Sequence, residues 1–295
     1  MKPPKFAYLR PQTLAEAVKA LHAADGDGKV IAGGQSLIPM LNFRLLNPGV
    51  LIDINRIAEL DFVRVRADGG LDIGALTRHH TLETADIVRE RFPVLHAAMQ
   101  HVAHLAIRNR GTIGGSITHA DPAAELPLMM VLLDAQISLV SSRGARELEA
   151  QEFFLGPLTS AVEEDEIVTQ IRLPGLPQGA GWAFEEVARR SGDFALAAVG
   201  VVLHVDAGRV VEARVGVMGV GDVAQRMFEA ETILFGQTCD ESTLDDAVAS
   251  VRAGVEPSTD LHASADYRRH LVGVLVRRAL KDAWNRATGA LHAGN

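Results

Sequence analysis

The sequence contains little cysteine, no excess of positive charge and no long apolar run. Cys239 is the only cysteine among 295 residues, which excludes a disulfide within the chain and an iron–sulfur cluster ligated by four of its own cysteines. The net charge of −8 disfavours nucleic acid as a partner, because nucleic acid selects basic surfaces. No segment reaches the roughly 18 apolar residues of a membrane span, and the first residues show no apolar signal core. We therefore expect a cytoplasmic protein without a membrane span.

The histidines do not follow a metal-binding pattern. His96, His101 and His104 are spaced five and three residues apart, which does not bring the three side chains to one face of a helix. His79 and His80 are adjacent and point in different directions in a helix or a strand. We expect solvated or core histidines rather than a metal site.

The remaining composition is that of a globular protein. Hydrophobic residues make up 47% of the chain and charged residues 22%, enough to bury a sizeable core. The sequence pattern changes near residue 57, and the segment 174–179, Pro-Gly-Leu-Pro-Gln-Gly, is the clearest linker. We predict divisions at 1–57, 58–175 and 176–295.

The hydrophobic pattern predicts an alternation of strands and helices. Thr13 and Glu16 form a capping box ahead of an apolar helical stripe. Strands are predicted at 6–9, 29–32, 50–54, 62–66, 71–75, 136–140, 146–148, 166–173, 182–189, 194–205 and 210–220, and helices at 13–21, 81–91, 93–106, 123–133, 224–235, 242–253 and 266–287.

A glycine turn follows the predicted strand at 29–32. Gly33 and Gly34 are succeeded by the polar Gln35 and Ser36. Glycine has no Cβ, so backbone amides there can approach a ligand closely, and the polar neighbours add hydrogen bonds. This pattern is typical of a pyrophosphate site, although a plain strand-to-helix turn is the alternative. The glycines do not follow the dinucleotide fingerprint, so a Rossmann fold is not predicted.

A second glycine-rich stretch spans residues 108–125 and carries more polar side chains. We predict that Asp121 is the N-cap of a helix with Pro122 at its first position. A helix start beside a glycine turn favours phosphate oxygens, so we predict that the two stretches form opposite walls of one cofactor cleft. A purely structural turn, with Asp121 only a cap, is the alternative. The residues of interest here are Gly111, Gly114, Gly115, Ser116, Thr118, His119, Asp121 and Glu125.

Four stretches together resemble the FAD-binding medium subunit of molybdenum hydroxylases, the group that includes carbon monoxide dehydrogenase and xanthine dehydrogenase. They fall in the expected order and cover nearly the whole chain. The resemblance implies an α+β fold with two FAD-binding subdomains of the vanillyl-alcohol-oxidase and para-cresol-methylhydroxylase type, followed by a C-terminal domain of antiparallel sheet and helices. The stretches are AGGQS at 32–36, TIGGS at 112–116 with DPAAE at 121–125, ARRSGDF at 188–194 and SADYRR at 264–269.

The resemblance also implies a set of FAD contacts. Residues 32–37 would bind the pyrophosphate through amides and the Ser36 hydroxyl, and residues 112–116 would form the facing wall. Asp121 and Glu125 would accept hydrogen bonds from hydroxyls on the ribose or adenine side. The full expected set is Ala32, Gly33, Gly34, Gln35, Ser36, Leu37, Val102, Thr112, Ile113, Gly114, Gly115, Ser116, Thr118, His119, Asp121, Glu125, Val168, Asp193 and Phe194.

Two features separate this chain from some relatives. Some members of the family carry a lysine before the paired arginines, at a place where this chain has Glu185 and Glu186. If that lysine tunes the flavin, Arg189 or Arg190 is the candidate to replace it here. No histidine lies between residues 30 and 50, which predicts non-covalent FAD. Phe194 would lie beside the isoalloxazine ring.

The implied function is electron relay without a catalytic residue in this chain. A large partner subunit would hold the molybdenum cofactor and a small one two 2Fe-2S clusters, as a dimer of heterotrimers, and FAD would pass electrons to an external acceptor. One alternative is a stand-alone FAD-dependent oxidase or dehydrogenase acting on its own small molecule. Another is a scaffold that has lost its flavin. The substrate of the complex (carbon monoxide, a purine or another N-heterocycle) and the acceptor stay open.

Overall fold

The first part of the chain is a small parallel sheet. The computed structural model describes residues 2–289. Thr13 caps the first helix by accepting a hydrogen bond from the Glu16 amide, and Ala17, Val18 and Leu21 of that helix are buried. The strands pair in the order β1-β3-β2, all parallel. The elements are β1 (Ala7–Leu9), α1 (Leu14–Ala23), β2 (Gly28–Ile31), α2 (Leu37–Asn42) and β3 (Val50–Asp53).

The middle part is a five-stranded antiparallel sheet with short helices packed on it. Its strand order is β4-β5-β10-β6-β7. Strand β10, the last of this region in the chain, therefore lies in the middle of the sheet and pairs with β5 on one side and β6 on the other. The elements are a 3-10 turn (Ala58–Leu60), β4 (Val63–Val65), β5 (Leu71–Gly74), α3 (His79–Thr84), α4 (Asp86–Arg91), α5 (Pro93–Met99), α6 (Leu105–Arg108), α7 (Ile113–His119), α8 (Glu125–Leu132), β6 (Gln136–Ser141), β7 (Gly144–Glu149), α9 (Ala150–Phe153), β8 (Phe154–Gly156), β9 (Thr159–Ser160) and β10 (Ile167–Leu173).

The C-terminal part is a four-stranded antiparallel sheet in sequential order, followed by helices. Two long apolar strands pair over most of their length, as their sequence predicts. The elements are β11 (Gly181–Ala188), β12 (Ala195–Asp206), β13 (Arg209–Met218), β14 (Gln225–Arg226), α10 (Phe228–Leu234), α11 (Glu241–Gly254) and α12 (Ala265–Ala287).

The C-terminal sheet is buried on both faces. One face packs with α11 and α12 into a core of its own, which includes Val199 and Leu275. Ala198 and Val202, on the other face, belong to the core of the middle part. Helix α8 lies between the two sheets, and all eight of its residues are buried. An apolar helix with no polar face is typical of such a central position.

The divisions 1–57, 58–175 and 176–295 stay predictions, and the first and the last of them include residues outside the described range. Each sheet is built from residues of a single division, because β3 ends at Asp53, β4 begins at Val63, β10 ends at Leu173 and β11 begins at Gly181.

Two predicted helices are each interrupted in the structure. The helix predicted at 81–91 is divided at Ala85, whose ψ of 121° is extended. The helix predicted at 93–106 ends at Met99, and Ala103, with φ of 43°, lies in the left-handed region before the next helix. Neither break is marked by a proline or glycine in the sequence. Contacts with the surrounding structure, rather than local propensity, therefore set these dihedral angles.

The prediction that Asp121 caps a helix beginning at Pro122 is wrong. Helix α7 ends at His119 with the left-handed Ala120 as its C-cap, and α8 begins only at Glu125 with Ala124 as N-cap. Asp121 instead accepts a hydrogen bond from the Ala123 amide at 2.9 Å within a turn. The Pro122 carbonyl accepts from the amide of Gly219 in the C-terminal part at 3.0 Å. A remote contact therefore holds this turn.

Candidate cofactor-binding site

A single cavity brings the two glycine-rich stretches together. Its volume is about 580 Å³, within the range of small-molecule and cofactor sites. Ile113 is the one expected residue that does not line it, because its side chain is fully buried in the core. The expected residues that line it are Ala32, Gly33, Gly34, Gln35, Ser36, Leu37, Val102, Thr112, Gly114, Gly115, Ser116, Thr118, His119, Asp121, Glu125, Val168, Asp193 and Phe194.

The first bend, residues 33–37, presents unpaired backbone donors to the cavity. Gly34 has a φ of +73°, a conformation that glycine adopts without strain. Within residues 2–289, the amides of Gly34, Gln35, Ser36 and Leu37 have no protein acceptor. The Ser36 hydroxyl does not cap α2. None of these four residues is fully buried, so their unpaired amides are open to a ligand, and successive free donors in one bend suit an anionic acceptor.

The second bend, residues 111–116, has its amides already paired. The Ile113 amide donates to the Thr77 carbonyl at 3.0 Å and the Gly114 amide to the Ala75 carbonyl at 2.9 Å. The Gly115 amide donates to the Thr112 hydroxyl at 3.1 Å. These amides are paired because Thr112 is the N-cap of α7 and lies beside the residues that follow strand β5. This wall therefore offers hydroxyl groups to a ligand, while the amides of Ile113, Gly114 and Gly115 already have acceptors within the protein.

The two bends touch each other at one end of the cavity. A Cβ on Gly33 would lie 2.9 Å from the Gly111 Cα, so only glycine permits this approach. Arg78 bridges the same junction, donating to the Arg110 carbonyl and, at 2.7 Å, to the Asn55 side chain. The relative position of the two walls is fixed by direct contact.

His79 lines the cavity and was not predicted to do so. Its Nε2 lies 3.0 Å from the Thr112 carbonyl oxygen. Burial lowers the pKa of His79 to about 4, so the ring is neutral at pH 7 and Nε2 donates this hydrogen bond. The adjacent His79-His80 pair gave no sequence signal for this role, because the contact depends on a residue 33 positions away.

A buried carboxyl group lies at the start of α8. Burial raises the pKa of Glu125 to about 7, with a further contribution from the charge of Asp121. A carboxyl group with this pKa is partly protonated near neutral pH, so Glu125 can donate as well as accept a hydrogen bond. The expectation treated it only as an acceptor.

Glu186 on strand β11 forms a second buried carboxyl group. Burial raises its pKa to about 8, and the charge of Glu125 adds to the shift. One of its oxygens, Oε2, has no hydrogen-bond partner in the described structure. The other, Oε1, lies 3.8 Å from Nδ1 of His101. At neutral pH Glu186 is therefore mainly protonated, and this position does not reproduce the positive charge of a lysine.

The lip of the cavity is formed by residues 192–194. Gly192 has a φ of +82°, and a Cβ there would overlap the ring of His104. Phe194 is 68% exposed, so this large apolar side chain stands at the mouth of the cavity without protein cover. Exposed aromatic groups beside a cavity are typical of ligand or partner contacts.

Several non-glycine residues around the cavity adopt strained backbone conformations. Ala103, Ala120 and Leu158 have φ values of 43°, 52° and 54°. The Leu158 amide donates to the Ala120 carbonyl at 3.0 Å, which ties two of them together. Such strain persists where the surrounding structure holds it, and it concentrates at ligand sites.

Sequence reasoning missed other lining residues because they lack a motif. Most are apolar or come from elements whose relation to the cavity depends on the fold. The charged Glu166 is paired with Arg146 at 2.7 Å. The unpredicted lining residues are Lys29, Val30, Ile31, Met40, Leu46, Ile54, Ala75, His79, Ala103, Ile107, Ala124, Leu158, Val162, Glu166 and Ile167. Gly111 and Gly192, which belong to two of the predicted stretches, line the cavity as well.

Residues 2–289 contain no group of three or more His, Cys, Asp or Glu side chains arranged to hold a metal ion. None of the helices in that range combines the length and the apolar character needed to cross a bilayer.

Two family models together match nearly the whole chain. Residues 4–176 match the FAD binding domain in molybdopterin dehydrogenase, and residues 182–283 match the CO dehydrogenase flavoprotein C-terminal domain. The first of these matches includes both glycine bends.

Related chains align over almost their full length. The alpha subunit of the 6-hydroxypseudooxynicotine dehydrogenase complex of Paenarthrobacter nicotinovorans is 40% identical over 288 residues, covering 97% of each chain. The carbon monoxide dehydrogenase medium chain of Hydrogenophaga pseudoflava is 37% identical over 286 residues, covering 97% of this chain and 99% of the relative.

Solved structures have the same fold. A structure of carbon monoxide dehydrogenase from Hydrogenophaga pseudoflava superposes with a TM-score of 0.94 at 38% identity, covering 97% of this chain and 99% of the other. Quinoline 2-oxidoreductase from Pseudomonas putida 86 superposes with a TM-score of 0.92 at 38% identity, covering 99% and 100%.

Proposed function

The chain belongs to the family of FAD-binding medium subunits of molybdenum hydroxylases, and on that premise we propose that it relays electrons through non-covalent FAD in a multisubunit complex. The observation that carries this proposal is the set of four unpaired amides at Gly34–Leu37 on the same cavity as the acidic start of α8. One end of the cavity suits a diphosphate and the other suits hydroxyl groups.

The cavity residues fit an FAD molecule through three kinds of contact. The amides of the first bend donate to diphosphate oxygens, with the Ser36 hydroxyl beside them. Asp121 and Glu125 hold sugar hydroxyls. Phe194 covers the ring at the lip.

FAD, when bound, supplies the redox chemistry of the flavin, and the protein positions it and excludes solvent. The proposed role requires no acid–base chemistry on a separate substrate. The residues of this chain therefore act by binding and orientation. The neutral His79, which lines the cavity, limits the charge placed beside the cofactor.

The partners are part of the proposal. The related chains are named as subunits or medium chains of dehydrogenases. Since Cys239 is the only cysteine here, iron–sulfur clusters belong to another polypeptide. We propose a large subunit with the molybdenum cofactor and a small 2Fe-2S subunit, as a dimer of heterotrimers in the cytoplasm. The substrate pocket and the choice of substrate then lie outside this chain.

The first experiment tests FAD binding by the purified chain. We expect a yellow protein that releases FAD into the supernatant after acid precipitation, with about one FAD per chain. A colourless protein that FAD cannot reconstitute would refute the proposal and favour a scaffold. Flavin that stays in the acid pellet would refute the non-covalent attachment alone.

The second experiment tests the complex. The chain is co-expressed with the products of its flanking genes and purified through a tag on this subunit. We expect a large chain with molybdenum and a small chain with iron to co-purify, and a mass consistent with two copies of each. Sustained substrate turnover by the isolated chain, without partners, would instead establish the stand-alone oxidase or dehydrogenase.

A further inference from the structure

One buried arginine in the C-terminal part joins three segments near the cavity. Arg268 lies in the first turn of α12 and is only 7% exposed. Its Nη1 donates to the carbonyls of Leu196 at 2.6 Å and Gly219 at 3.0 Å. Its Nη2 pairs with Asp260 at 2.8 Å. Leu196 is two residues after Phe194, so this guanidinium holds the strand that begins at the lip of the cavity.

Gly219 transmits the same contact to the acidic wall. Its amide donates to the Pro122 carbonyl at 3.0 Å, and Pro122 follows Asp121. Gly219 has a φ of +74°, and a Cβ there would lie 3.0 Å from the Leu196 carbonyl oxygen. The chain of contacts therefore runs from Arg268 through a close-packed glycine to the turn that delivers Asp121 and Glu125.

The segment before α12 holds the other side of the lip. Asp260, the ion-pair partner of Arg268, accepts from the amides of His262 at 2.7 Å and Ala263 at 2.9 Å. Nδ1 of His262 lies 2.8 Å from Nη1 of Arg189. Arg189 precedes the lip residues 192–194, so the lip is tied to the α12 region on both sides.

We propose that Arg268 is a positioning residue for the cofactor, and that it sets the separation between the Phe194 lip and the Asp121–Glu125 wall. This inference rests on the proposed FAD site. The guanidinium is planar and reaches two carbonyls and a carboxylate from one buried position, which a lysine ammonium on a flexible stem does not reproduce. Arg268 touches no part of the cavity itself and acts only through Leu196, Gly219 and Asp260.

The neighbouring Arg269 provides a matched control. It follows Arg268 in the same helix and has the same side chain, but it pairs at 3.4 Å with Asp266, whose side chain is 98% exposed. Arg269→Lys therefore makes the same exchange of guanidinium for ammonium at a site that does not contact Leu196, Gly219 or Asp260.

The test measures FAD affinity and the visible circular dichroism of bound FAD for wild type, Arg268→Lys and Arg269→Lys. We expect Arg268→Lys to weaken FAD binding about tenfold, as for loss of a buried charged hydrogen bond, and to alter the visible dichroism. We expect Arg269→Lys to match wild type in both. A milder variant, Asp260→Asn, keeps the shape of the ion-pair partner and should weaken binding about threefold by loss of its charge.

Chemical rescue separates positioning from stability. Arg268→Ala leaves a space for a guanidinium ion, so a low, non-denaturing concentration of guanidinium chloride should restore FAD affinity, whereas the same concentration of sodium chloride should not. If Arg268→Ala does not fold, the lysine and asparagine variants decide the matter.

The proposal is overturned if Arg268→Lys binds FAD within about twofold of wild type with an unchanged dichroism spectrum, a change below what a lost charged hydrogen bond produces. It is also overturned if Arg269→Lys shows an equal loss. Failure of wild type to bind FAD is a different result, because that outcome refutes the proposed function and not the role of Arg268 alone.

Discussion

The two glycine bends look alike in the sequence and differ in the structure. The amides of Gly34–Leu37 have no protein acceptor in the described chain, whereas those of Ile113, Gly114 and Gly115 are all paired with protein oxygens. The first bend therefore has donors for a ligand, and the second has space for one. A glycine-rich motif predicts a close approach of backbone, but whether its amides are available depends on which neighbours have already taken them.

The largest expected effect comes from altering the first bend. Gly34→Ala places a Cβ at a φ of +73°, which distorts the bend and misaligns its amides. We expect FAD affinity to fall about 30-fold, the combined result of backbone strain and misplaced donors. Isothermal titration with FAD measures it.

Gly208→Ala is the control for this change. Gly208 has the same φ of +73°, no atom lies within 4 Å of a Cβ there, and it is in the β12–β13 turn. It should lose a similar small amount of stability and keep its FAD affinity. Equal affinity losses in the two variants would mean that strain alone, and not the amides, explains the result.

A smaller effect is expected from filling the second bend. Gly115→Ala introduces a Cβ at 2.9 Å from the Thr112 hydroxyl, on the wall where FAD is proposed to approach. Because no unpaired amide is disturbed, we expect FAD affinity to fall only about fivefold, the loss expected from a local steric shift. If Gly115→Ala weakened binding more than Gly34→Ala, the ranking of the two bends would be reversed.

Beyond the two bends, the buried carboxyl groups make a further difference that can be tested by changing the pH. Burial and the charge of Glu125 raise the pKa of Glu186 from its usual 4.5 to about 8. The folded protein then holds more protons than the unfolded one between these pH values, so this carboxyl group lowers stability as pH rises through that window.

Replacing Glu186 with glutamine should remove that dependence. We expect Glu186→Gln to raise the melting temperature at pH 9 by about 3 °C, equivalent to roughly 1 kcal/mol in a chain of this size, and to have little effect at pH 5. Glu152→Gln, at an exposed position, is the control. The same increase at both pH values would contradict the assigned cause, and thermal unfolding at several pH values measures it.

Much of the fold followed from local patterns. The resemblance to the FAD-binding medium subunits and the α+β architecture are confirmed by the family matches and the solved structures. The strand predictions at 136–140, 166–173 and 194–205 correspond to β6, β10 and β12 within two residues at each end. These strands are apolar or alternate strictly, so the hydrophobic pattern is strong.

Boundaries that depend on remote contacts were not predictable. Asp121-Pro122 has the residue types of a helix start, yet these residues form a turn. The Pro122 carbonyl of that turn accepts a hydrogen bond from the amide of Gly219, 97 residues later in the chain. The roles of Glu186 and Arg268 have the same origin. A carboxyl group acquires its raised pKa, and an arginine its carbonyl partners, only from the segments that surround it.

The sequence by itself predicted a phosphate-bearing ligand and excluded an iron–sulfur cluster held by four cysteines of this chain, because glycine turns with polar neighbours and a single cysteine are matters of residue type and local spacing. The identity of the cofactor as FAD followed from the resemblance of four stretches to a known family. Only the tertiary structure decided which bend keeps its amides free, which carboxyl groups have a raised pKa, and that Arg268 contacts segments leading to the lip and to the acidic wall. Those properties arise from hydrogen bonding and burial between segments far apart in the chain, which no local pattern encodes.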